Sequence, residues 1–356
     1  MRVVIPHMGN IYVAVKAMAD QLGINLVVPP PTSQRTLSLG VKYSPEMACL
    51  PFKLTLGNMI EALELGADTV VMPGGPAPCR FGYYHKVQEA ILRELGYDFH
   101  MVTQSRGIMH MIKYLTNEAP LRKVIIAFRF GIAKLKAVDE LERLVHKIRA
   151  VEQEKGEASR FYKEGISAIN NAADYQALNQ AKRAYLQKLN NLPTITSPAP
   201  LNIGVIGEFF VVLDPFANMD IEIELGKLGV EVRRSLFVQD WVRLNPLVYA
   251  LGLREKDRSH EAAMPYLSRH VGGDGWQSVG EKVLHAGDWD GLIHLEPFGC
   301  LPEITARNIM PSIKDGLPVL NIIYDEHTGK AGIINRLEAF VDMIQRKKRR
   351  QVKVCV

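Results

Sequence analysis

Short apolar runs and helical repeats alternate along the first third of the chain. Runs typical of buried strands occupy residues 2–6, 25–28, 69–72 and 99–102, and helical patterns occupy residues 11–22, 52–65 and 86–95. Three consecutive prolines follow the second predicted strand, so that strand must stop there. Strands that alternate with helices favour a mostly parallel sheet.

The same alternation returns after residue 200, with strands predicted at residues 203–206, 230–233, 292–295 and 319–323. Between Pro120 and Pro193 there is no other proline, and apolar residues recur at helical spacing, which predicts two or three long helices. The turn-rich segment 190–200 is typical of a linker. The pattern therefore predicts an α/β protein with two Rossmann-like parallel-sheet domains and a helical insertion between them.

The predicted domain boundaries follow these changes of pattern. A first α/β domain covers residues 1–120 and carries Cys49 and Cys79, and a helical segment covers residues 121–195. A second α/β domain covers residues 196–345 and carries Cys300, and a basic tail covers residues 346–356. The total of 356 residues is more than one hydrophobic core usually supports, which agrees with several domains.

Composition and charge exclude several classes of protein. Hydrophobic residues make up 47% and charged residues 23% of the chain, which argues against a disordered chain or a disulfide scaffold. The net charge of +5 equals that of the cations at 346–350, which we interpret as a solvated tail. Basic and aromatic residues do not interleave, and no signal-peptide or membrane-helix pattern is present. We expect a cytoplasmic protein that binds neither nucleic acid nor membrane.

Three of the four cysteines occupy similar positions in the predicted fold. Cys49 precedes a predicted helix, whereas Cys79 and Cys300 follow predicted strands in loops rich in proline and glycine. Open α/β sheets bind ligands where strands end, and helix N-termini favour thiolates, the form that iron–sulfur clusters and zinc require. The alternative is that these cysteines are buried as small hydrophobic residues. Cys355, beside the chain terminus, is left out of the group.

Two acidic and two basic residues are further candidates. Glu208 and Glu326 follow predicted strands and could act as catalytic acids, Glu326 together with His327. The alternatives are that Glu208 caps or pairs with a helix and that Glu326 and His327 cap a loop. Lys53 and Arg80, each close to a candidate cysteine, could neutralise a cluster or hold an anionic substrate, or could be ordinary surface cations.

Four sequence strings resemble a known superfamily: CLPFKLTLGNMIEALELGADTVVMPGG, PCRFGYY, IGEFFVVLDPFANMDIE and EPFGCLPE. They resemble the 2-hydroxyacyl-CoA dehydratase components, a superfamily that includes the double-cubane-cluster proteins, and in particular its short, activase-associated branch. The resemblance spans roughly residues 2–336. By position it implies that Cys49, Cys79 and Cys300 hold an iron–sulfur cluster, either [4Fe-4S] or an [8Fe-9S] double cubane, with one iron left open.

The resemblance also implies a partner, because in that superfamily a separate ATP-hydrolysing activase supplies a low-potential electron. This chain has no G-x-x-x-x-G-K-[ST] phosphate loop, and residues 203–208 lack the expected activase ATP pattern, so we expect it to be the recipient. The resemblance then implies an iron–sulfur enzyme that performs a difficult reduction on a small-molecule or acyl-CoA substrate, as a homodimer or a heterodimer with a related subunit. The alternatives are a subunit of a 2-hydroxyacyl-CoA dehydratase-like radical lyase, a non-catalytic electron-relay or scaffold subunit, and a structural three-thiolate zinc site.

Overall fold

Two four-stranded parallel sheets organise the chain. The structure is a computed structural model that describes residues 1–75, 79–104, 107–195, 199–237 and 258–354. The first sheet has the order β2-β1-β3-β4 and the second the order β6-β5-β7-β8. The strands are β1 Arg2–Val4, β2 Asn25–Leu26, β3 Thr69–Val71, β4 His100–Val102, β5 Leu201–Gly207, β6 Val230–Arg234, β7 Gly291–Pro297 and β8 Val319–Tyr324. The predicted α/β class with two Rossmann-like domains is confirmed.

The strand order is the same in both sheets. In each, the second strand lies on one side of the first, and the chain then crosses to the other side to add the third and fourth strands. The direction of winding therefore reverses between the first and third strands of each sheet. In open α/β sheets, ligands bind beyond the carboxyl ends of the strands at such a reversal.

Helices cover both faces of the first sheet. They are α1 Ile11–Leu22, α2 Gln34–Tyr43, α3 Leu50–Glu64, α4 Tyr84–Glu94 and α5 Ile108–Leu115. One apolar core joins α3 and α4 to the sheet through residues such as Leu56, Val70 and Leu92. A second, smaller core on the other face contains Val3 and Val71 and contacts α5.

Helix α3 has almost no solvent-exposed face, because every residue from Leu50 to Leu63 is buried. Its polar side chains are bonded to neighbouring elements. The Asn58 side chain accepts a hydrogen bond from the main-chain N–H of His7 at 3.0 Å, and the Thr36 hydroxyl donates to Glu61 at 2.7 Å. The position of α3, and of Cys49 immediately before it, is therefore fixed from several sides.

Three helices occupy the segment for which two or three were predicted: α6 Leu121–Val151, α7 Glu157–Asn171 and α8 Tyr175–Asn190. Internal contacts divide the chain into two compact units. Unit 1 comprises Met1–Asp139 and Ile166–Ala181, and unit 2 comprises Glu140–Gly165 and Lys182–Val356. Within the described ranges, no helix combines the length and the apolar character needed to cross a membrane.

Unit 2 contains the second sheet and its helices. Among the residues of this unit that the structure describes, these helices are α9 Phe209–Leu213, α10 Ile221–Lys227, α11 Arg258–Ala263, α12 Gly275–Leu284, α13 Leu301–Ile309 and α14 Lys330–Val354. Its apolar core contains Ile206, Val279 and Leu292.

A buried ion network ties β6 to α6 and α10 within unit 2. Arg234, with 1% of its side chain exposed, pairs with Glu142 of α6 and with Glu222 of α10, the latter at 2.7 Å. His146 bonds Glu222 at 2.8 Å. Burial alone would raise the pKa of Glu222, but His146 and Arg234 hold this pKa well below its usual range. The network keeps Glu222 ionised inside the unit.

We predict that Gly40→Ala destabilises the protein. A Cβ atom at Gly40 would lie 1.8 Å from the Lys53 carbonyl oxygen, so α2 and α3 would have to separate. Overpacking of this kind costs about 1–3 kcal/mol. The matched control is Gly332→Ala in α14, where a Cβ meets nothing within 4 Å and helix propensity improves. Thermal unfolding should show a lower midpoint for the first variant only, and equal midpoints would contradict the close approach.

Candidate functional site

All three candidate cysteines immediately precede a helix. Cys49 is the N-cap of α3, Cys79 the N-cap of a 3₁₀ turn at Arg80–Tyr83, and Cys300 the N-cap of α13. Each has an extended backbone at this position, and none uses its sulfur to cap the helix. Pro51 and Pro302 stand in the first turns of α3 and α13, where proline costs no hydrogen bond.

This position has a chemical consequence for the thiols. The first N–H groups of a helix have no partner within the helix and carry partial positive charge, which favours a thiolate close by. Cys49 and Cys300 are each 8% exposed, whereas Cys79 is half-buried. Among the described residues, none of the three forms a disulfide bond. The donor chemistry at each position thus suits a metal cluster.

The segments that carry Cys49 and Cys79 pack against each other within unit 1. The Tyr84 hydroxyl lies 2.5 Å from the Cys49 sulfur. Arg80, the residue after Cys79, donates to the carbonyl oxygen of Met47 at 3.0 Å. A cavity of about 250 Å³ opens beside Cys49 and is lined by both segments, including Phe52, Arg80, Tyr83 and Tyr84.

The two candidate cations have different environments. Lys53 is only 3% exposed, and its Nζ donates to the Glu46 carbonyl oxygen at 3.4 Å, so the surface alternative is wrong for this residue. Arg80 is exposed and lines the cavity beside Cys49. Of the two, Arg80 is therefore the one placed to meet an anionic group of a bound molecule.

The loop before Cys79 is held close to α4. The N–H of Gly75 donates to the Gly82 carbonyl oxygen at 3.2 Å. A Cβ at Gly74 would lie 2.1 Å from His85 Nδ1, so the ring fits only against a glycine. Burial lowers the pKa of His85, and Lys86 adds to this effect. The neutral imidazole thus packs against the loop that leads to Cys79.

In unit 2, Cys300 and Glu208 follow neighbouring strands. Glu208 comes directly after β5, and its N–H donates to the Leu295 carbonyl oxygen of β7 at 3.1 Å. Gly207 has a φ of +136°, and a Cβ there would lie 2.1 Å from the same carbonyl oxygen. Cys300 follows β7 after a short turn. Both residues therefore stand where the winding of the second sheet reverses.

Glu208 shares its surroundings with a second carboxyl group, that of Asp274. The side chain of Glu208 accepts from the Val211 N–H at 3.0 Å, which confirms its predicted helix-capping alternative. Asp274, the N-cap of α12, accepts from the Phe209 N–H at 3.0 Å. Burial raises the pKa of Glu208 to about 8, and the charge of Asp274 adds to the shift. The capping carboxyl can therefore also hold a proton near neutral pH.

A fully buried pair, His294 and Glu303, lies close to these carboxyls. His294 Nε2 and Glu303 Oε2 are 2.7 Å apart, and Ser278 donates to the same oxygen at 2.8 Å. Burial raises the pKa of Asp274 to about 7, with the charge of Glu303 as the next cause. Sequence reasoning missed Asp274, His294 and Glu303; the signals present were a polar residue inside an apolar strand and an Asp before a helix.

Glu326 lies in the turn that follows β8 and is half-buried. The loop there is capped by Asp325, which accepts from the His327 N–H at 3.0 Å and from the Thr328 hydroxyl at 2.8 Å. Loop capping in this turn is thus performed by the residue before Glu326. A catalytic role for Glu326 stays a prediction.

Cys49 and Cys79 belong to unit 1, and Cys300 belongs to unit 2. Among the described residues, no group of three His, Cys, Asp or Glu side chains is arranged to hold a metal ion. Cys355 lies outside the residues that the structure describes. Joint ligation of one cluster by the three cysteines therefore stays a prediction.

We predict that Glu208 makes the protein less stable as the pH rises. The pKa of Glu208 is about 8 in the folded protein and 4.5 in its reference state, so between these values the folded state holds a proton that the unfolded state releases. The contribution of this proton to the free energy of unfolding is complete below about pH 4.5 and is lost as the pH approaches about 8. The thermal midpoint of the wild type should fall over this range, and that of Glu208→Gln should fall less.

The matched control is Glu94→Gln, at an exposed position of α4. It should keep the wild-type dependence on pH. If the thermal midpoint of Glu208→Gln fell with pH as steeply as that of the wild type, the Glu208 carboxyl would already be ionised at low pH.

Comparison with known proteins adds one family match. Residues 5–235 match the model of the CoA enzyme activase uncharacterised domain family (DUF2229), and this match contains Cys49, Cys79 and Glu208 but not Cys300 or Glu326. No curated protein matches the chain. The match agrees at domain level with the activase-associated, 2-hydroxyacyl-CoA dehydratase-like resemblance. Because this match covers more than half of the chain, the chain belongs to the CoA enzyme activase uncharacterised domain family.

Proposed function

We propose that this chain is an iron–sulfur protein that accepts low-potential electrons from an ATP-hydrolysing activase and uses them in a difficult reduction. The observation that carries the proposal is the shared position of Cys49, Cys79 and Cys300, each at the N-cap of a helix. Membership of a CoA enzyme activase-related family supports an activase as the partner. The cofactor in this proposal is a [4Fe-4S] or [8Fe-9S] cluster with these three cysteines as ligands.

The residues around the cysteines fit such a group. An iron–sulfur cluster, when bound, supplies low-potential one-electron chemistry. Hydrogen bonds to the sulfur ligands tune the potential of such centres, and the Tyr84 hydroxyl is within hydrogen-bond distance of the Cys49 sulfur. The N–H groups at the starts of α3 and α13 favour the thiolate forms of Cys49 and Cys300.

The substrate site in this proposal is the cavity beside Cys49. Its lining of Met47, Phe52, Tyr83 and Val87 suits an apolar group, and Arg80 on the same wall can bind a carboxylate or phosphate. The combination favours a small organic or acyl substrate. Assembly as a homodimer or heterodimer stays part of the proposal.

Glu208 has the role of a proton carrier in this proposal. Reduction of an organic substrate consumes protons as well as electrons. A carboxyl with a pKa of about 8 can both give up and recover a proton near neutral pH. Asp274 keeps the Glu208 proton in place by adding negative charge nearby.

We predict that the cysteines control iron content. After anaerobic reconstitution, the wild type should carry about four irons per cubane together with acid-labile sulfide and broad visible absorbance. Cys49→Ala, Cys79→Ala and Cys300→Ala should each lose most of this absorbance. Cys355→Ala is the matched control, because it removes the one remaining cysteine of the chain.

The outcome separates the alternatives. A full cluster in Cys300→Ala would remove that residue from the ligand set. Colourless protein with stoichiometric zinc would contradict the cluster and favour a structural thiolate site.

We predict that an activase reduces the reconstituted protein only when ATP is hydrolysed. A purified activase, ATP, Mg²⁺ and a chemical reductant should bleach the visible absorbance of the wild type, whereas a non-hydrolysable ATP analogue should not. Glu208→Gln should still be bleached, but should form product from acyl-CoA or small organic substrates at least about tenfold more slowly, since it has lost a proton carrier. Bleaching without ATP would contradict the role of the activase. Bleaching without product from any substrate would favour the electron-relay alternative.

A further inference from the structure

An exposed apolar seam runs along the start of α6. Leu121, Ile125 and Phe128 have spacings of four and three residues, which place them on one face of the helix. They are 60%, 49% and 45% exposed. Large apolar side chains that lie together on an exposed surface mark a candidate interaction site.

A different face of α6 packs against the rest of its unit. Ala127 and Phe130 are buried. Gly131 lies against α1, where an added Cβ would be 2.5 Å from the Met18 side chain. The seam is therefore not the face that attaches α6 to its own unit.

The seam is narrow and has the spacing of a coiled-coil contact. Its three side chains lie within about 60° of one another around the helix. The exposed Arg122 and Arg129 separate them from the exposed Ile126, so the apolar face is narrower than that of a helix that lies on a membrane. If Leu121 and Phe128 are assigned to d positions of a heptad repeat, Ile125 is an a position. This geometry fits a partner helix.

Positive charge along one edge of the seam favours a partner with acidic residues. Arg122 and Arg129 are exposed and follow the two d positions, so they occupy the e positions that set pairing in coiled coils. Neither forms an ion pair within the described part of the chain. A second copy packed antiparallel would place arginine against arginine at the facing e positions. A parallel second copy would place its g residues, Val124 and Gly131, opposite the arginines, and neither carries a carboxylate.

We propose that the seam formed by Leu121, Ile125 and Phe128 binds an amphipathic helix of another protein whose flanking residues are acidic. Apolar side chains of that helix would cover the seam, and its carboxylates would pair with Arg122 and Arg129. This surface requires no iron, so the proposal does not depend on the proposed cluster.

The test uses the full-length protein and synthetic three-heptad peptides labelled for fluorescence anisotropy. One peptide has Leu at a and d and Glu at e and g, and its twin has Lys in place of Glu. At low salt the wild type should bind the Glu peptide at least about tenfold more tightly than the Lys peptide. Phe128→Asp should weaken this binding at least about tenfold. The combined variant Arg122→Glu and Arg129→Glu should reverse the preference.

The matched control lies on the same helix. Ile126 is 47% exposed but is rotated about 160° from Phe128, so Ile126→Asp should bind the Glu peptide like the wild type. Circular dichroism and thermal midpoints of all variants check that they fold.

Four results would overturn the proposal. These are no binding of the Glu peptide, no preference between the two peptides, equal losses in Ile126→Asp and Phe128→Asp, and a wild-type dimer that Phe128→Asp dissociates. Binding to phosphatidylglycerol vesicles that requires Phe128, without peptide binding, would assign the seam to a lipid surface instead.

Discussion

The constraint on which the first unit depends is a helix without a solvent-exposed face. Because α3 is buried from Leu50 to Leu63, its polar side chains cannot be hydrated and must find partners in neighbouring elements. Asn58 bonds the chain just after β1, Glu61 bonds α2, and Thr55 accepts from Gln88 of α4 at 2.8 Å. A shift of α3 along its axis would break all of these bonds at once. The residue at its N-terminus, Cys49, therefore has one position available to it.

The second organising feature is the strand order that both sheets share. In each sheet a candidate cysteine follows the third strand, Cys79 after β3 and Cys300 after β7. Parallel strands put all their carboxyl ends at one edge, and the crossing of the chain leaves that edge open beside the third strand. Glu208 stands at the carboxyl end of β5, the first strand of the second sheet and a neighbour of β7. Within the second sheet, the topology thus brings Glu208 and Cys300, which are far apart in sequence, to the carboxyl ends of neighbouring strands.

Much of this arrangement could be predicted from the sequence, because buried parallel strands are continuous apolar runs and the candidate residues stand next to them. Helix α2 was missed, since it buries few apolar residues, although Ser33 and Thr36 form a capping box at its start. Asp274 was missed because it stands between Gly273 and Gly275, where neither a strand nor a helix pattern marks a site. The contact between His294 and Glu303 joins a strand to a helix, and no local pattern specifies such a pair. Burial, which sets the pKa of Glu208, likewise depends on the whole fold.

The absence of side-chain caps at the three cysteines has a consequence for what a serine would change at these positions. A Ser, Asn or Asp at an N-cap usually stabilises a protein by about 1 kcal/mol relative to a residue that makes no cap. At Cys49, Cys79 and Cys300 that contribution is missing, because none of the sulfurs caps its helix. A serine hydroxyl can act as such a cap, and a single nucleotide change converts a cysteine codon into a serine codon. In the proposed function, sulfur at these three places would supply metal ligands where serine would supply helix caps.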